Sequence, residues 1–512
     1  MTQTEGPRGP EMDDESFAVD TTALKNKAIR GATVNIAAQS VAIAGQTIGA
    51  LVLTRLLRPS DFGLVALVTA FSIWIAGFGV NGFTEYIIYR QELNKEEVTS
   101  IYWLHVMIAS LLAVLFTIFG FGLVKIYHEP ALSSIAAVMS TSFILYAFST
   151  TPIALLKREM KFAKVALADL SGVILSYVFA IGAALVGLGF WAVVIRQLTI
   201  PAVLVVAAWI LSPWRPKGKF YFHKALASLK YGVKVYINLL VGFFSQGFDK
   251  VLLGKFHGTT LLGNYDRAYS IFSMPASQLL TPLHNVALAA LSRVRNDGER
   301  FTAYFAKAVS LVAFPGVLAS VLLTILARDL VALLLGRNWA EAGFVVLALG
   351  PGIAAQLIYG SSTWLHLSLG TPGRWLRWNL VATAITVTMF VIAAPIGAVA
   401  LAAALSARFY LLALPAIWYG GRPVRLSLGV LVKNVWPYFL SGLVVCAAWF
   451  LFIGNRLPWK EVPTGSALIV RIAVSSGIAG VLYVGGVVAL QGSFKSLRNI
   501  IALVPHVLHR AK

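Results

Sequence analysis

Basic and acidic side chains stand within apolar runs long enough to cross a bilayer, the basic ones being Arg196, Lys234, Lys250, Arg267, Arg408 and Arg471 and the acidic ones Glu85, Asp169, Asp249 and Asp266. Charge in hydrocarbon is costly, so such groups are expected to face a bundle interior or a wet cavity. Lys234 and Arg471 lie near run ends, where a long side chain can snorkel to the interface. Glu85 and Asp169 lie near one membrane surface, as helix-end residues do. Arg196, Lys250, Arg267 and Arg408 lie deeper. Two arrangements suit them: a cationic cavity that receives an anionic headgroup, or internal balance, with Asp249 beside Lys250 and Asp266 beside Arg267. Nothing positions a nucleophile beside a base. The sequence has no HExxH and no Gly-x-Ser-x-Gly, its eight histidines are scattered, and Gly77 to Gly82 lacks the Lys-Ser/Thr of a phosphate loop. An enzyme, a catalytic residue and a metal site are therefore not expected, and the sole cysteine, Cys446, suits packing.

Uncharged polar residues add a pattern. Lys234, Asn238, Ser245 and Asp249 recur at i, i+4, i+11 and i+15, which places them on one helical face. An earlier run repeats the device with Asn35, Gln39 and Gln46. Such stripes suit the lining of a hydrated groove, or polar contacts that hold helices together. Pro152, Pro201, Pro275, Pro282 and Pro315 are candidate kinks.

These residues need membrane helices to hold them. The hydrophobic fraction is 58%, the charged fraction 12% and the mean hydropathy +0.78, against about 45–50% and about 25% in soluble domains. The expected fold is an all-α integral membrane protein of about 14 transmembrane helices, since a span takes about 20 apolar residues. Apolar runs lie near 31–56, 62–89, 101–125, 131–155, 165–187, 189–211, 231–256, 262–291, 304–327, 343–367, 376–395, 397–419, 430–453 and 467–490. Placing loops alternately puts 27 Lys and Arg on one side and eight on the other. The net charge of +21 is thus a membrane-topology signal, with both termini cytoplasmic, and not a nucleic-acid footprint. Residues 1–24, acidic and without an apolar core, are expected to be a disordered cytoplasmic tail and not a signal peptide.

An internal repeat underlies the count. A shift of 200 residues lays Gln46 on Gln246, Leu53 on Leu253, Arg55 on Lys255 and Gly63 on Gly263. The expected organisation is an N-lobe over 25–212, a C-lobe over 213–420, and two further helices with a basic cytoplasmic tail over 421–512. Repeated lobes around a central cavity are a transporter architecture.

Four stretches carry a family likeness: Leu56-Leu57-Arg58-Pro59-Ser60-Asp61-Phe62-Gly63-Leu64, Leu155-Leu156-Lys157-Arg158-Glu159-Met160-Lys161-Phe162, Asp249-Lys250-Val251-Leu252-Leu253-Gly254-Lys255 with Leu262-Gly263-Asn264-Tyr265, and Leu335-Gly336-Arg337-Asn338-Trp339. Through them the chain resembles the Wzx-type polysaccharide and O-antigen flippases of the multidrug/oligosaccharidyl-lipid/polysaccharide exporter superfamily. The resemblance implies two six-helix lobes rocking around a cavity. It further implies export of an undecaprenyl-pyrophosphate-linked oligosaccharide across a bacterial inner membrane, beside a polysaccharide polymerase and co-polymerase. Arg196, Lys250, Arg267 and Arg408 would then hold the anionic headgroup, and Asn35, Gln39, Gln46, Asn238, Ser245 and Gln246 would line the cavity. An inside-negative potential favours outward movement of such a group by roughly 4–5 kcal/mol per 100 mV for about two negative charges. No cofactor is implied beyond H+ or Na+ coupling, with Asp249 or Asp266 as carrier. A drug exporter of the same superfamily and a membrane glycosyltransferase or polymerase are the competing readings; the latter lacks any long loop to carry a catalytic acid.

Overall fold

The computed structural model describes residues 41–89, 93–217, 219–454 and 461–492; the tail over 1–24, Asn35 and Gln39 lie outside them. The side chains of Glu85, Lys234, Asn238, Ser245 and Gln246 are likewise outside the described set. Among the described residues there is no strand. Nine helices there are long and apolar enough to cross a membrane, or ten when one bent pair counts as a span. Large apolar side chains such as Leu111, Ile118 and Phe121 stand exposed, as lipid-facing residues do. The chain is an all-α, multi-pass membrane protein.

Local chemistry sets the helix ends. Asp61 Oδ2 accepts from Arg58 N (2.9 Å) in the turn between α1 (Val41–Leu56) and α2 (Pro59–Tyr89). Next, α3 (Lys95–Tyr127) opens on Glu96 and Glu97 and closes on Lys125, charges that match the helix dipole. It is followed by α4 (Ala131–Arg158), α5 (Phe162–Leu185) and α6 (Phe190–Leu211). The following element, α7 (Phe222–Arg293), breaks only at Gly258, where φ is +77°. An L side chain rarely takes that φ, so glycine makes the turn between two antiparallel arms, 222–257 and 259–293.

The second half departs from the expected runs in two places. After α8 (Gly298–Ile325), whose N-cap Asp297 accepts from Arg300 N (3.0 Å), comes a separate short helix, α9 (Ala327–Leu334). The run expected over 343–367 is in fact two helices, α10 (Ala340–Leu349) and α11 (Gly352–Ser368), bent by 55° at Gly350-Pro351. Glycine beside proline both weakens the helix and removes a backbone donor. By contrast, Pro152, Pro201 and Pro315 sit inside continuous helices. The chain ends its described part with α12 (Pro372–Ala393), α13 (Ala398–Gly421), α14 (Leu428–Ala448) and α15 (Ser466–Gln491).

Several turns gather at one end of the bundle. Tyr127 Oη donates to Val251 O (3.1 Å), a His257 ring nitrogen lies 2.8 Å from Ala394 O, and Arg55 Nη2 donates to Leu333 O (2.7 Å). This is the end that the sequence leaves poor in cations. Here the two halves are welded. Leu53, Leu57, Phe62 and Val65 share one buried cluster with Leu253, Leu262, Trp339 and Val345. Towards the cation-rich end, Phe83, Tyr86, Ile101 and Ala154 form a cluster with the start of α7 at Ala225, and Leu291, Phe301 and Phe305 belong to another.

The weld has a two-fold character. A β-carbon on Gly63 would sit 1.8 Å from Thr259 O, and one on Gly263 would sit 1.8 Å from Pro59 O. A shift of 200 residues turns Pro59 into Thr259 and Gly63 into Gly263. The crossing therefore relates repeat-equivalent positions reciprocally, and two glycines let the backbones touch.

Candidate functional site

Because Gly258 reverses α7, residues equidistant from it meet. Lys250 Nζ lies 2.6 Å from Asp266 Oδ1, and the Arg267 guanidinium binds Asp266 Oδ2, with Nε at 3.1 Å. Asp249 Oδ2 accepts from Tyr265 Oη at 2.7 Å, and its Oδ1 accepts from Lys250 N at 2.9 Å. The acids are buried, while Lys250 and Arg267 remain 18% and 20% exposed at the side chain. The expected balance of Asp249 with Lys250 is thus redrawn. Neighbours in a helix point about 100° apart, so the lysine reaches across the hairpin instead. One carboxylate serves two cations, and the other has a phenol and an amide.

Aromatic rings extend this cluster towards α13. Lys250 Nζ is 5.7 Å from the Tyr269 ring centroid, and the series continues through Phe272 to Phe409, with Tyr359 of α11 alongside. Arg408 is the next residue. Its Nη1 donates to Thr386 Oγ1 (3.2 Å), its Cζ stands 4.5 Å from the Phe409 ring, and its buried Nε has no hydrogen-bond partner. Among the described residues no carboxylate lies within ion-pairing distance of it. Arg408 is eleven residues past the Gly397 turn, about 16 Å along the helix, near the middle of a roughly 30 Å hydrocarbon layer.

Arg196 stands apart. It lies on α6, with Nη1 3.4 Å from Tyr177 Oη and Cζ 5.4 Å from that ring, and its neighbour Gln197 donates to Thr69 Oγ1 (2.9 Å). The four deep cations therefore divide into three on α7 and α13 and one on the α1–α6 side. Arg267 reaches between them, its Cζ 4.7 Å from the ring of Phe62 on α2. Gln46 is exposed on α1, and Asp169 is exposed on α5. Arg471, expected to snorkel, is instead paired with buried Asp329 and donates to Glu461 O (2.7 Å), tying α15 to α9. Sequence reasoning gave Tyr265, Tyr269 and Tyr359 no part in the site. For the first two the signal was the spacing Tyr265-Asp266-Arg267-Ala268-Tyr269, which puts two phenols one turn apart beside the charges.

A family model described as "Polysaccharide biosynthesis protein" matches residues 52–343, more than half of the chain and the whole α7 hairpin. The chain belongs to this polysaccharide biosynthesis protein family. As a member, it is 22% identical over 329 residues to the lipopolysaccharide biosynthesis protein WzxC of Escherichia coli (strain K12), covering 62% of this chain and 65% of that protein. It is 26% identical over 306 residues to the succinoglycan biosynthesis transport protein ExoT of Rhizobium meliloti (strain 1021), covering 59% and 62%. The match thus spans less than two thirds of either relative. Among solved structures, lipid II flippase MurJ in an inward closed conformation superposes with a TM-score of 0.70 at 13% identity, over 90% of this chain and 99% of that one. A MATE family multidrug transporter in its inward-facing conformation gives 0.56 at 16%, over 77% and 94%. These two likenesses are likenesses of fold.

Proposed function

We propose that this protein is a flippase for a lipid-linked anionic glycan precursor, an undecaprenyl-pyrophosphate oligosaccharide, and that it works by alternating access in a bacterial inner membrane. The observation that carries the reading is Arg408, a cation near mid-membrane whose partners are a hydroxyl and a ring. Two basic residues, Lys250 and Arg267, share one acid beside it. A cationic drug would meet repulsion there, whereas a pyrophosphate would meet the charge it needs to leave water. The family membership and the named roles of WzxC and ExoT in polysaccharide biosynthesis and transport support the same cargo. The cargo moves towards the cation-poor end, and both termini lie in the cytoplasm with the cations. The two halves act as lobes that part and rejoin, and the state described has the cation-poor end shut. If a proton or sodium ion is exchanged, Asp249 is its carrier: Tyr265 and a backbone amide are its hydrogen-bond partners, whereas Asp266 is held by two cations. A polysaccharide polymerase and co-polymerase are the downstream partners of this reading.

Two experiments follow. A topology reporter at residue 220 should read cytoplasmic and one at 258 external; an internal 258 would reverse the lobe assignment. Deleting the gene should abolish surface polysaccharide, and Arg408→Ala should cut export about tenfold or more, equal to losing about 1.4 kcal/mol of headgroup binding. Its amount in the membrane should not change. Normal polysaccharide with sensitivity to cationic drugs in the deletion strain would replace this reading with drug efflux.

A further inference from the structure

A pocket of about 470 Å³ opens at the cation-poor end, away from the α7 cluster. Its wall joins three separate parts of the chain: Thr54 and Arg55 from the end of α1, Gly336, Arg337 and Asn338 from the turn before α10, and Thr464 from the approach to α15. The alternating loop assignment gives that side eight cations against 27 on the other, yet two of the eight, Arg55 and Arg337, line this pocket. Loop arginines on the sparsely charged side are not explained by topology, which disfavours them. No carboxylate is among the residues that line the pocket.

The two arginines are held differently. Arg55 uses Nη2 on Leu333 O (2.7 Å). Arg337 is exposed and, among the described residues, makes no ion pair or hydrogen bond. Its backbone is nevertheless fixed, because Trp339, two residues on, is fully buried, donates through Nε1 to Thr54 O (2.8 Å) and packs edge-on against Phe62 (5.4 Å). A free guanidinium on an anchored turn, in one pocket wall with a second guanidinium and no carboxylate, is a preorganised donor site for an oxyanion.

We infer that this pocket binds a phosphate or pyrophosphate oxyanion at the outlet of the transport path. The assignment of an outlet rests on the export direction proposed above; the oxyanion site itself does not. The occupant is either the headgroup of the arriving lipid or a free phosphate, which share this chemistry. An oxyanion is a stronger acceptor than the Leu333 carbonyl, so its arrival also competes for Arg55, one of the bonds that shut this end.

The test uses the full chain carrying Asn338→Cys in phosphatidylcholine vesicles, labelled from outside with a membrane-impermeant maleimide. Inorganic pyrophosphate at about ten times its Kd should slow labelling about tenfold. Adding Arg337→Gln should abolish that protection; this exposed side chain holds nothing else, so the fold is not at stake. Protection by undecaprenyl pyrophosphate in the outer leaflet identifies the lipid headgroup as occupant. Protection by inorganic pyrophosphate alone identifies a free oxyanion. Labelling unaffected by either probe, or protection that survives Arg337→Gln, overturns the site. Because no transport is needed, failure here leaves the Arg408 result standing, and the reverse also holds.

Discussion

Gly263→Ala is expected to stop export while the protein still reaches the membrane, because its methyl group would stand 1.8 Å from Pro59 O. The obstacle is backbone, so no rotamer change relieves it, and the second arm of α7 must move away from α2. Overpacking usually costs about 1–3 kcal/mol, and here that cost falls on one conformation only, the one with the cation-poor end shut. A shift of about 3 kcal/mol changes a two-state ratio more than a hundredfold. Asn264, 3% exposed in the shut state, should then react from outside once converted to cysteine. Gly63→Ala meets Thr259 O at the same 1.8 Å and should give the same phenotype. That reciprocity is the sharper part of the prediction. A one-sided effect, or wild-type export from either variant, would mean that the crossing does not report on the shut state.

The sequence carried most of the helices because lipid leaves little choice: a span must be apolar for its whole length and must satisfy its own backbone. It also marked Gly63 and Gly263 as repeat-equivalent through a shift of 200 residues, but not that each would meet the backbone of the other half. It did not separate the Gly350-Pro351-Gly352 break from harmless prolines such as Pro201, because in a membrane the outcome depends on which neighbours accept the freed carbonyls. The candidate site was legible by residue type and not by partner. Lys250 was marked as a deep cation, but its acid is sixteen residues away across a turn of one glycine. Arg471 near a helix end looked like a snorkelling side chain, and its partner Asp329 is 142 residues earlier. Partners at such separations follow from tertiary packing, on which local spacing is silent.

The shared carboxylate gives the second large expectation. Asp266 lies between Lys250 and Arg267 with a side chain 10% exposed, and neither base has another carboxylate within 4 Å among the described residues. Asp266→Asn keeps the size and removes the charge, which leaves two cations facing each other in a poorly solvated place. Breaking a buried pair in this way costs about 3–5 kcal/mol, enough to deplete many proteins of their folded state. The variant should therefore accumulate poorly in the membrane and melt well below the wild type. A double change, Asp266→Asn with Lys250→Met, removes one of the stranded cations while keeping an unbranched apolar side chain, and it should recover much of the stability. It should not recover export, because one of the proposed headgroup cations is gone. This split between stability and export separates two roles for Lys250. If the double variant regained both, Lys250 would be a structural counter-ion and the headgroup site would reduce to Arg408 and Arg267. If Asp266→Asn alone were as stable as the wild type, the cluster would be open to water, and the cost assigned to unpaired charge there would not apply.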